Sequence, residues 1–222
     1  MKRLALFDLD HTLLPIDSDY EWGRFLGRIG IVDDAEFQSR NHGYAEQYKA
    51  GTLDVLDFLG FSLGMIANRP ADEIEGWRRR YMEEVVEPAI TPQARALVDR
   101  YLHCGDLCAL VTATNTFVTA PIARAFGFEH LIGSEAEQID GVYTGKPSGT
   151  PSFREGKVVR TEQWLGSLGK HWSDFDEIWF YSDSANDIPL LEHATHPVAT
   201  NPDAGLLALA QKRQWPVIRL FE

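Results

Sequence analysis

Two carboxylates, Asp8 and Asp10, stand one residue apart directly after a short apolar run at residues 4–7. An uninterrupted apolar run of this length predicts a strand that is buried on both faces. Where the chain leaves such a strand, one carboxylate could attack an electrophilic phosphorus atom. The other could then protonate the leaving oxygen and later deprotonate water. The alternative is that the pair only caps a loop, but Thr12, two residues on, favours a reactive site.

A second segment places Thr112 and Ala113 directly after the apolar run 107–111 and before a predicted helix at 117–126. Backbone N–H groups at the positive end of a helix hold phosphate oxygens well, and the Thr112 hydroxyl would add one hydrogen bond. The alternative is that Thr112 is an ordinary helix N-cap. The segment is therefore a candidate phosphate-binding loop.

A third candidate is Lys157, which opens a predicted helix at 156–168. A lysine at the positive end of a helix is mildly unfavourable, so a nearby negative partner would explain its position. The alternative is a solvated lysine. Arg154 and Arg160 compete with Lys157 for the same role.

A fourth segment follows the predicted strand 177–181 and begins with Asp183. Asp183 is a candidate metal ligand, and Asp187, one helical turn later, could orient a metal-bound water or hold the lysine described above. Hard oxygen ligands without a histidine or cysteine cluster favour Mg²⁺ over zinc. The alternative is a simple helix-capping sequence. Ser184 and Asn186 lie between the two acids and are candidate supporting residues.

The predicted elements show how segments so distant in sequence could meet. Apolar runs alternate with helical patterns after residue 88, which implies parallel strands joined by right-handed crossovers. Ligands of such sheets bind beyond the carboxyl ends of the strands, where the most reactive residues lie. The predicted strands after the first are 107–111, 131–132, 177–181, 197–199 and 217–220, with a hairpin or flap at 138–149.

Residues 17–88 show only helical patterns, so we predict an α/β fold with an all-helical module inserted after the first motif. The predicted core comprises 1–16 and 89–222, and the predicted module comprises 17–88. The net charge of −12 disfavours nucleic acid and anionic membranes as partners. No signal peptide or long apolar stretch is evident, so we expect a cytoplasmic protein. Two cysteines are too few for a disulfide scaffold.

The four segments together resemble the motifs of the haloacid dehalogenase superfamily. These are D-x-D-x-T after the first strand, a strand-ending Ser or Thr, a downstream lysine and an acidic D-S-x-x-D loop. All four occur here in the same order, and the resemblance covers essentially the whole chain. The helical insert and the hairpin region are similar to the phosphoserine-phosphatase-like branch. The resemblance implies a Rossmann-like parallel sheet core flanked by helices, with a small helical cap over the site.

The resemblance also implies a chemistry. Asp8 would be the nucleophile that carries an aspartyl-phosphate, and Asp10 the general acid and base. Thr112 and Lys157 would bind the phosphate. Mg²⁺ would be held by the Asp8 and Asp183 carboxylates and the Asp10 backbone carbonyl. We therefore expect a Mg²⁺-dependent phosphatase acting on small-molecule phosphate monoesters.

The sequence departs from phosphoserine phosphatases at two positions. Asp17 stands where they carry a glutamate that meets the substrate's amino group, and the Ser-Gly-Gly motif is replaced at residues 112–114. Asp17, Asp19 and the aromatic Trp22 are candidate specificity residues for an aminated ester such as histidinol phosphate or phosphoserine. The alternative is that both acids only cap the first cap helix.

Two rival functions stay open from the sequence. A phosphotransferase would pass the phosphoryl group to an alcohol instead of water. A signalling receiver domain also combines a phospho-accepting aspartate with Thr, Lys and Mg²⁺, but Asp10 and the long helical insert argue against it.

Overall fold

The structure, a computed structural model, describes residues 2–221, so Met1 and Glu222 of the predicted core lie outside it. Within that range seven strands form one sheet in the order β4-β3-β2-β1-β5-β6-β7. Neighbouring strands are parallel, except that β4 pairs antiparallel to β3 at one edge. The strands are β1 Arg3–Phe7, β2 Leu107–Asn115, β3 Leu131–Ile139, β4 Val142–Ser148, β5 Glu177–Ser182, β6 His196–Thr200 and β7 Val217–Ile218. The predicted α/β fold is confirmed.

Helices connect the strands and flank the sheet. Helix α5, Pro92–Leu102, has Thr91 as its N-cap, which accepts a hydrogen bond from the Ala94 N–H, and proline at its first position. No helix within residues 2–221 has the length and apolarity needed to cross a membrane. The helices are α1 Ser18–Arg28, α2 Asp34–Ala50, α3 Val55–Gly64, α4 Ala71–Tyr81, α5 Pro92–Leu102, α6 Thr116–Phe126, α7 Glu155–Ser167, α8 Ile188–His193 and α9 Ala204–Arg213.

The segment between β1 and β2 is helical, and its residues 17–88 are called the cap below. Aspartates at positions 17, 33 and 54 start its first three helices by accepting backbone N–H groups. A π-helical turn, Met82–Val86, continues α4 towards the core. The hydrophobic cluster that contains Phe7 of β1 also contains Trp22 of α1, so the cap packs directly on the sheet layer. The boundaries of the cap stay a prediction.

The hairpin predicted at 138–149 forms, but it is longer than predicted and supports the cap. Its turn is Asp140-Gly141, and both residues have positive φ, at 50° and 80°. The Asn68 N–H of the cap donates to the Tyr143 carbonyl of β4 at 2.8 Å. A Cβ at Gly145 would lie 2.8 Å from the Ala67 side chain, so β4 and the cap approach closely here.

The structure corrects several predicted boundaries. Strand β2 continues to Asn115, four residues beyond the apolar run, because the polar side chains at its carboxyl end are held by hydrogen bonds. The segment after Asp183 begins as a 3₁₀ turn, Ala185–Asp187, before α8. The last strand, predicted at 217–220, has only two residues, Val217–Ile218.

Candidate active site

The carboxyl ends of β1, β2 and β5 meet at one edge of the sheet. Phe7, the last residue of β1, pairs with Leu110 of β2 and Tyr181 of β5. Asp8 therefore leaves the sheet beside the segments that begin at Thr112 and at Asp183. The structure brings these predicted residues together because the strands that carry them are neighbours.

Lys157 lies in the first turn of α7 and is 2 % exposed. Its Nζ is 2.8 Å from Asp8 Oδ1 and 2.6 Å from Asp187 Oδ2. The Ser182 hydroxyl also donates to Asp187 Oδ2, at 2.8 Å. Burial opposes the charge on Lys157, but the carboxylates of Asp187 and Asp8 outweigh it and raise the pKa of Lys157. Lys157 is therefore a fixed cation beside Asp8.

The two arginines that competed with Lys157 for this position lie elsewhere. Arg160 contacts Glu135 Oε1 at 2.7 Å and the Gly133 carbonyl at 3.0 Å. Arg154 donates to Asn186 Oδ1 at 3.0 Å and to the Gly51 carbonyl of the cap at 2.9 Å. Neither forms an ion pair with Asp8.

Thr12 connects the first and fourth segments. Its hydroxyl oxygen lies 2.9 Å from Asp8 Oδ2 and 3.2 Å from Asp183 Oδ1, and it accepts the Asp183 backbone N–H at 3.0 Å. Burial and the neighbouring carboxylates of Asp8 and Asp187 raise the pKa of Asp183 well above its ordinary value. The carboxylates of Asp8 and Asp183 therefore lie close together, and their negative charge is not fully compensated.

These residues fit a bound Mg²⁺. The Lys157 ammonium contacts the carboxylates of Asp8 and Asp187, and the Asp183 carboxylate shares the Thr12 hydroxyl with Asp8. A divalent cation between Asp8 and Asp183 would offset the excess negative charge. Within residues 2–221 no three His, Cys, Asp or Glu side chains form a metal site by themselves. Two carboxylates suffice for Mg²⁺, which keeps several waters and binds substrate phosphate.

Asp10 points away from the ion-pair cluster, towards the cap. The Ser18 backbone N–H donates to its Oδ1 at 2.7 Å, and the Thr114 hydroxyl donates to its Oδ2 at 2.8 Å. Burial, followed by the charges of Asp17 and Asp8, raises the pKa of Asp10 to about 8. Asp10 can therefore hold a proton at neutral pH, as a general acid must.

Thr112 and Ala113 are predicted to follow the strand, but they lie within β2, which continues to Asn115, the N-cap of α6. The Thr112 hydroxyl oxygen accepts the Thr114 N–H at 3.1 Å, which leaves its own hydrogen to donate to a ligand. The Ala113 carbonyl accepts the Ser134 hydroxyl at 2.8 Å, so the loop is fixed from the neighbouring strand. Both contacts hold this end of β2 in place.

Ser184 contacts the cap directly, and Asn186 is linked to the cap through Arg154. The hydroxyls of Tyr48 on α2 and Ser184 lie 2.8 Å apart. The Asn186 side chain accepts from Arg154, which also reaches the Gly51 carbonyl at the end of α2. The acidic loop is therefore tied to the cap.

The candidate specificity residues have three different environments. Asp17 Oδ1 accepts the backbone N–H groups of Asp19 and Tyr20 at 3.0 and 2.9 Å, so Asp17 is the N-cap of α1. Asp19 is buried and accepts from Ser62 and Asn115, as described below. Trp22 is 1 % exposed and packs edge-on against aromatic rings of the cap and of α6.

The contacts of Thr12, Ser18, Thr114 and Asn115 are not predicted by the sequence. Thr114 could have been found, because it lies two residues after Thr112 on a strand and such residues share a face. The contacts of Ser18 and Asn115 depend on how the cap sits on the core, which no local spacing encodes.

Comparison with known proteins agrees with this geometry. A family model described as haloacid dehalogenase-like hydrolase matches residues 5–192. A histidinol-phosphatase of Neisseria meningitidis is 41 % identical over 219 residues, which cover 98 % of this chain and 99 % of that protein. A phosphoserine phosphatase of Mycobacterium tuberculosis is 30 % identical over 223 residues, covering 96 % and 69 %.

Solved structures share the fold of this chain. A protein of unknown function from Bordetella pertussis is 55 % identical, has a TM-score of 0.95 and matches over 100 % of both chains. A substrate-bound phosphoserine phosphatase is 19 % identical with a TM-score of 0.66, covering 99 % of this chain and 93 % of that one, and shares the fold. The chain therefore belongs to the haloacid dehalogenase-like hydrolases and is a phosphatase of that family.

Proposed function

We propose that this phosphatase transfers the phosphoryl group of a small, aminated monoester first to Asp8 and then to water, with Mg²⁺ as its cofactor. One observation carries the proposal most strongly. Asp8 is held by the buried Lys157 ammonium at 2.8 Å, while Asp10, two residues on, has a pKa of about 8. A nucleophile and a general acid thus occupy distinct electrostatic environments within one loop.

In the first step an Asp8 carboxylate oxygen attacks phosphorus and the bond from phosphorus to the ester oxygen breaks. Asp10 gives its proton to that oxygen, so the alcohol leaves neutral and Asp10 becomes a carboxylate. Lys157 and the Thr112 hydroxyl would hold non-bridging phosphate oxygens. The ammonium reduces the repulsion between the incoming phosphate and Asp8.

In the second step the Asp10 carboxylate takes a proton from a water molecule, whose oxygen attacks phosphorus. The bond between phosphorus and Asp8 breaks, which restores the carboxylate and releases inorganic phosphate. Hydrogen bonds from Ser18 and Thr114 keep Asp10 in place during both transfers. Bound Mg²⁺ would neutralise phosphate charge, held by the Asp8 and Asp183 carboxylates and the Asp10 carbonyl.

The charges beside Asp10 favour an aminated substrate. Asp17 and Asp19 lie at the start of α1, on either side of Ser18, which contacts Asp10. Within residues 2–221 no arginine or lysine forms a hydrogen bond or ion pair with any of these three acids. Such surroundings attract an ammonium or imidazolium group and disfavour the carboxylate of phosphoserine. We therefore favour histidinol phosphate, which matches the name of the relative that is 41 % identical.

The test is phosphate release from histidinol phosphate, phosphoserine, sugar phosphates and nucleotides, with and without Mg²⁺, by wild type and Asp8→Asn. We expect Mg²⁺-dependent turnover, preference for histidinol phosphate, and loss of turnover in a variant that folds normally by circular dichroism. Turnover by Asp8→Asn would refute the nucleophile. Transfer to an added alcohol would indicate a phosphotransferase, and a phosphoprotein stable for minutes would indicate a receiver domain.

A further inference from the structure

We propose that Asp19, rather than Asp17, supplies the carboxylate that binds a positively charged nitrogen in the alcohol part of the substrate. The inference rests on the proposed function and assigns its specificity to a particular side chain. Asp19 lies in the first turn of α1 and is 6 % exposed. It touches both the cap and the end of β2.

Both structural hydrogen bonds of Asp19 use the same oxygen. The Ser62 hydroxyl of α3 donates to Oδ1 at 2.8 Å, and the Asn115 amide donates to Oδ1 at 3.0 Å. Asn115 is fixed in turn, because its own oxygen accepts the Val118 N–H at the start of α6. No residue in the described part of the chain donates to Asp19 Oδ2, so that oxygen is available to a ligand.

Packing alone does not explain a carboxylate at this position. An asparagine would accept the same two hydrogen bonds with its side-chain oxygen, and no charge would be buried. Burying a carboxylate without a cation is costly, whereas the benefit of an acid in the first turn of a helix is small. Asp17 differs from Asp19 in two respects. Its carboxylate is accounted for by its role as the N-cap of α1, and it is only partly buried.

Asp19 is also close enough to Asp10 to meet a small substrate. Its neighbour Ser18 donates to one oxygen of Asp10, and Thr114, the neighbour of Asn115, donates to the other. Because consecutive Cα atoms are about 3.8 Å apart, Asp19 and its partner Asn115 each stand one residue away from a group that contacts Asp10. The Ser18 hydroxyl is buried and has no hydrogen-bond partner among residues 2–221, so it could also contact a polar group of the substrate.

The test compares two esters across two matched variants. Histidinol phosphate carries nitrogen cations, whereas p-nitrophenyl phosphate carries none. Asp19→Asn keeps an acceptor for Ser62 and Asn115 but removes the charge. Asp17→Asn makes the same substitution two residues away and keeps an N-cap. Removing one charge-assisted contact corresponds to a loss of about 10- to 100-fold in kcat/KM.

We expect that loss for Asp19→Asn with histidinol phosphate and less than about a threefold change with p-nitrophenyl phosphate. Asp17→Asn should affect both esters equally. Equal losses on the two esters in Asp19→Asn, or a selective loss only in Asp17→Asn, would overturn the assignment while leaving the phosphatase intact. Failure of the wild type to hydrolyse either ester would instead refute the proposed function. A thermal midpoint of Asp19→Asn that is no lower than that of the wild type excludes misfolding as the cause.

Discussion

At the scale of single residues, the candidate site separates two carboxylates that stand only two positions apart. Asp8 lies beside the buried Lys157 ammonium. Asp10 instead accepts hydrogen bonds from Ser18 and Thr114, and burial with the charges of Asp17 and Asp8 raises the pKa of Asp10 despite the Ser18 hydrogen bond. This difference in surroundings, rather than any difference in residue type, is the basis on which we propose Asp8 as nucleophile and Asp10 as general acid.

Asp10→Asn tests that division. The amide oxygen can still accept the Ser18 N–H, but the side chain can neither give a proton to the alcohol nor take one from water. With an alkyl ester, kcat should fall about 100- to 10,000-fold. With p-nitrophenyl phosphate the leaving group needs no proton, so rapid mixing should show a burst of one equivalent of p-nitrophenolate followed by slow turnover.

Steady turnover at the wild-type rate in Asp10→Asn, on either ester, would contradict the role of Asp10. A slow first turnover without a burst would place the defect in the first step alone. The control is Asp33→Asn, which changes the N-cap of α2 in the same way and should behave as wild type.

At the scale of elements, α2 of the cap reaches across to the acidic loop of the core. Tyr48 contacts Ser184, and Arg154 bridges Asn186 and Gly51. Arg154 has φ 52° and ψ −123°, a backbone conformation that costs an L residue of the order of 1–3 kcal/mol. This strained residue stands three positions before Lys157, so the same turn that positions the lysine also meets the cap.

Tyr48→Phe removes only the hydroxyl that joins α2 to Ser184. A net hydrogen bond contributes about 0.5–1.5 kcal/mol, so kcat/KM should fall about 2- to 10-fold through weaker closure over the substrate. Tyr44→Phe is the matched control, because the Tyr44 hydroxyl donates to Asp57 within the cap, at 2.8 Å. Steady-state kinetics that give equal losses in both variants would contradict a role for the cap–core contact.

At the scale of the whole molecule, a buried acid links function to stability. Burial, followed by the charge of Asp17, raises the pKa of Asp19 from 3.8 to about 7. Between these values the folded protein holds a proton that the unfolded chain has released. The stability contributed by this group is therefore greatest at low pH and is lost as the pH rises from about 4 to about 7.

Asp19→Asn removes this titration and should be the more stable protein at pH 8. The free energy of unfolding of the variant minus that of the wild type should grow by a few kcal/mol between pH 4 and pH 8. Urea unfolding at several pH values measures the difference, and all other titrating groups cancel in it. A difference independent of pH would show that Asp19 is charged at little cost in the folded protein.

The local sequence predicts where most strands lie and which four segments carry the candidate site residues. Each of these is a local property: a run of apolar residues makes a buried strand, and an aspartate or threonine before a helical pattern makes an N-cap. Because the strands are parallel, their carboxyl ends share one edge, and the segments around Asp8, Thr112 and Asp183 had to meet there. The local sequence does not show whether Lys157, Arg154 or Arg160 is the cation beside Asp8.

Which side-chain oxygen of the site accepts a hydrogen bond from which donor depends on the tertiary structure. The contacts of Asp10 with Thr114, of Asp19 with Asn115 and of Tyr48 with Ser184 join residues 104, 96 and 136 positions apart. Their geometry depends on how the cap lies on the sheet, which results from packing summed over many side chains. The same packing fixes the pKa values of the buried acids, because burial and neighbouring charge are properties of the folded chain and not of the residue.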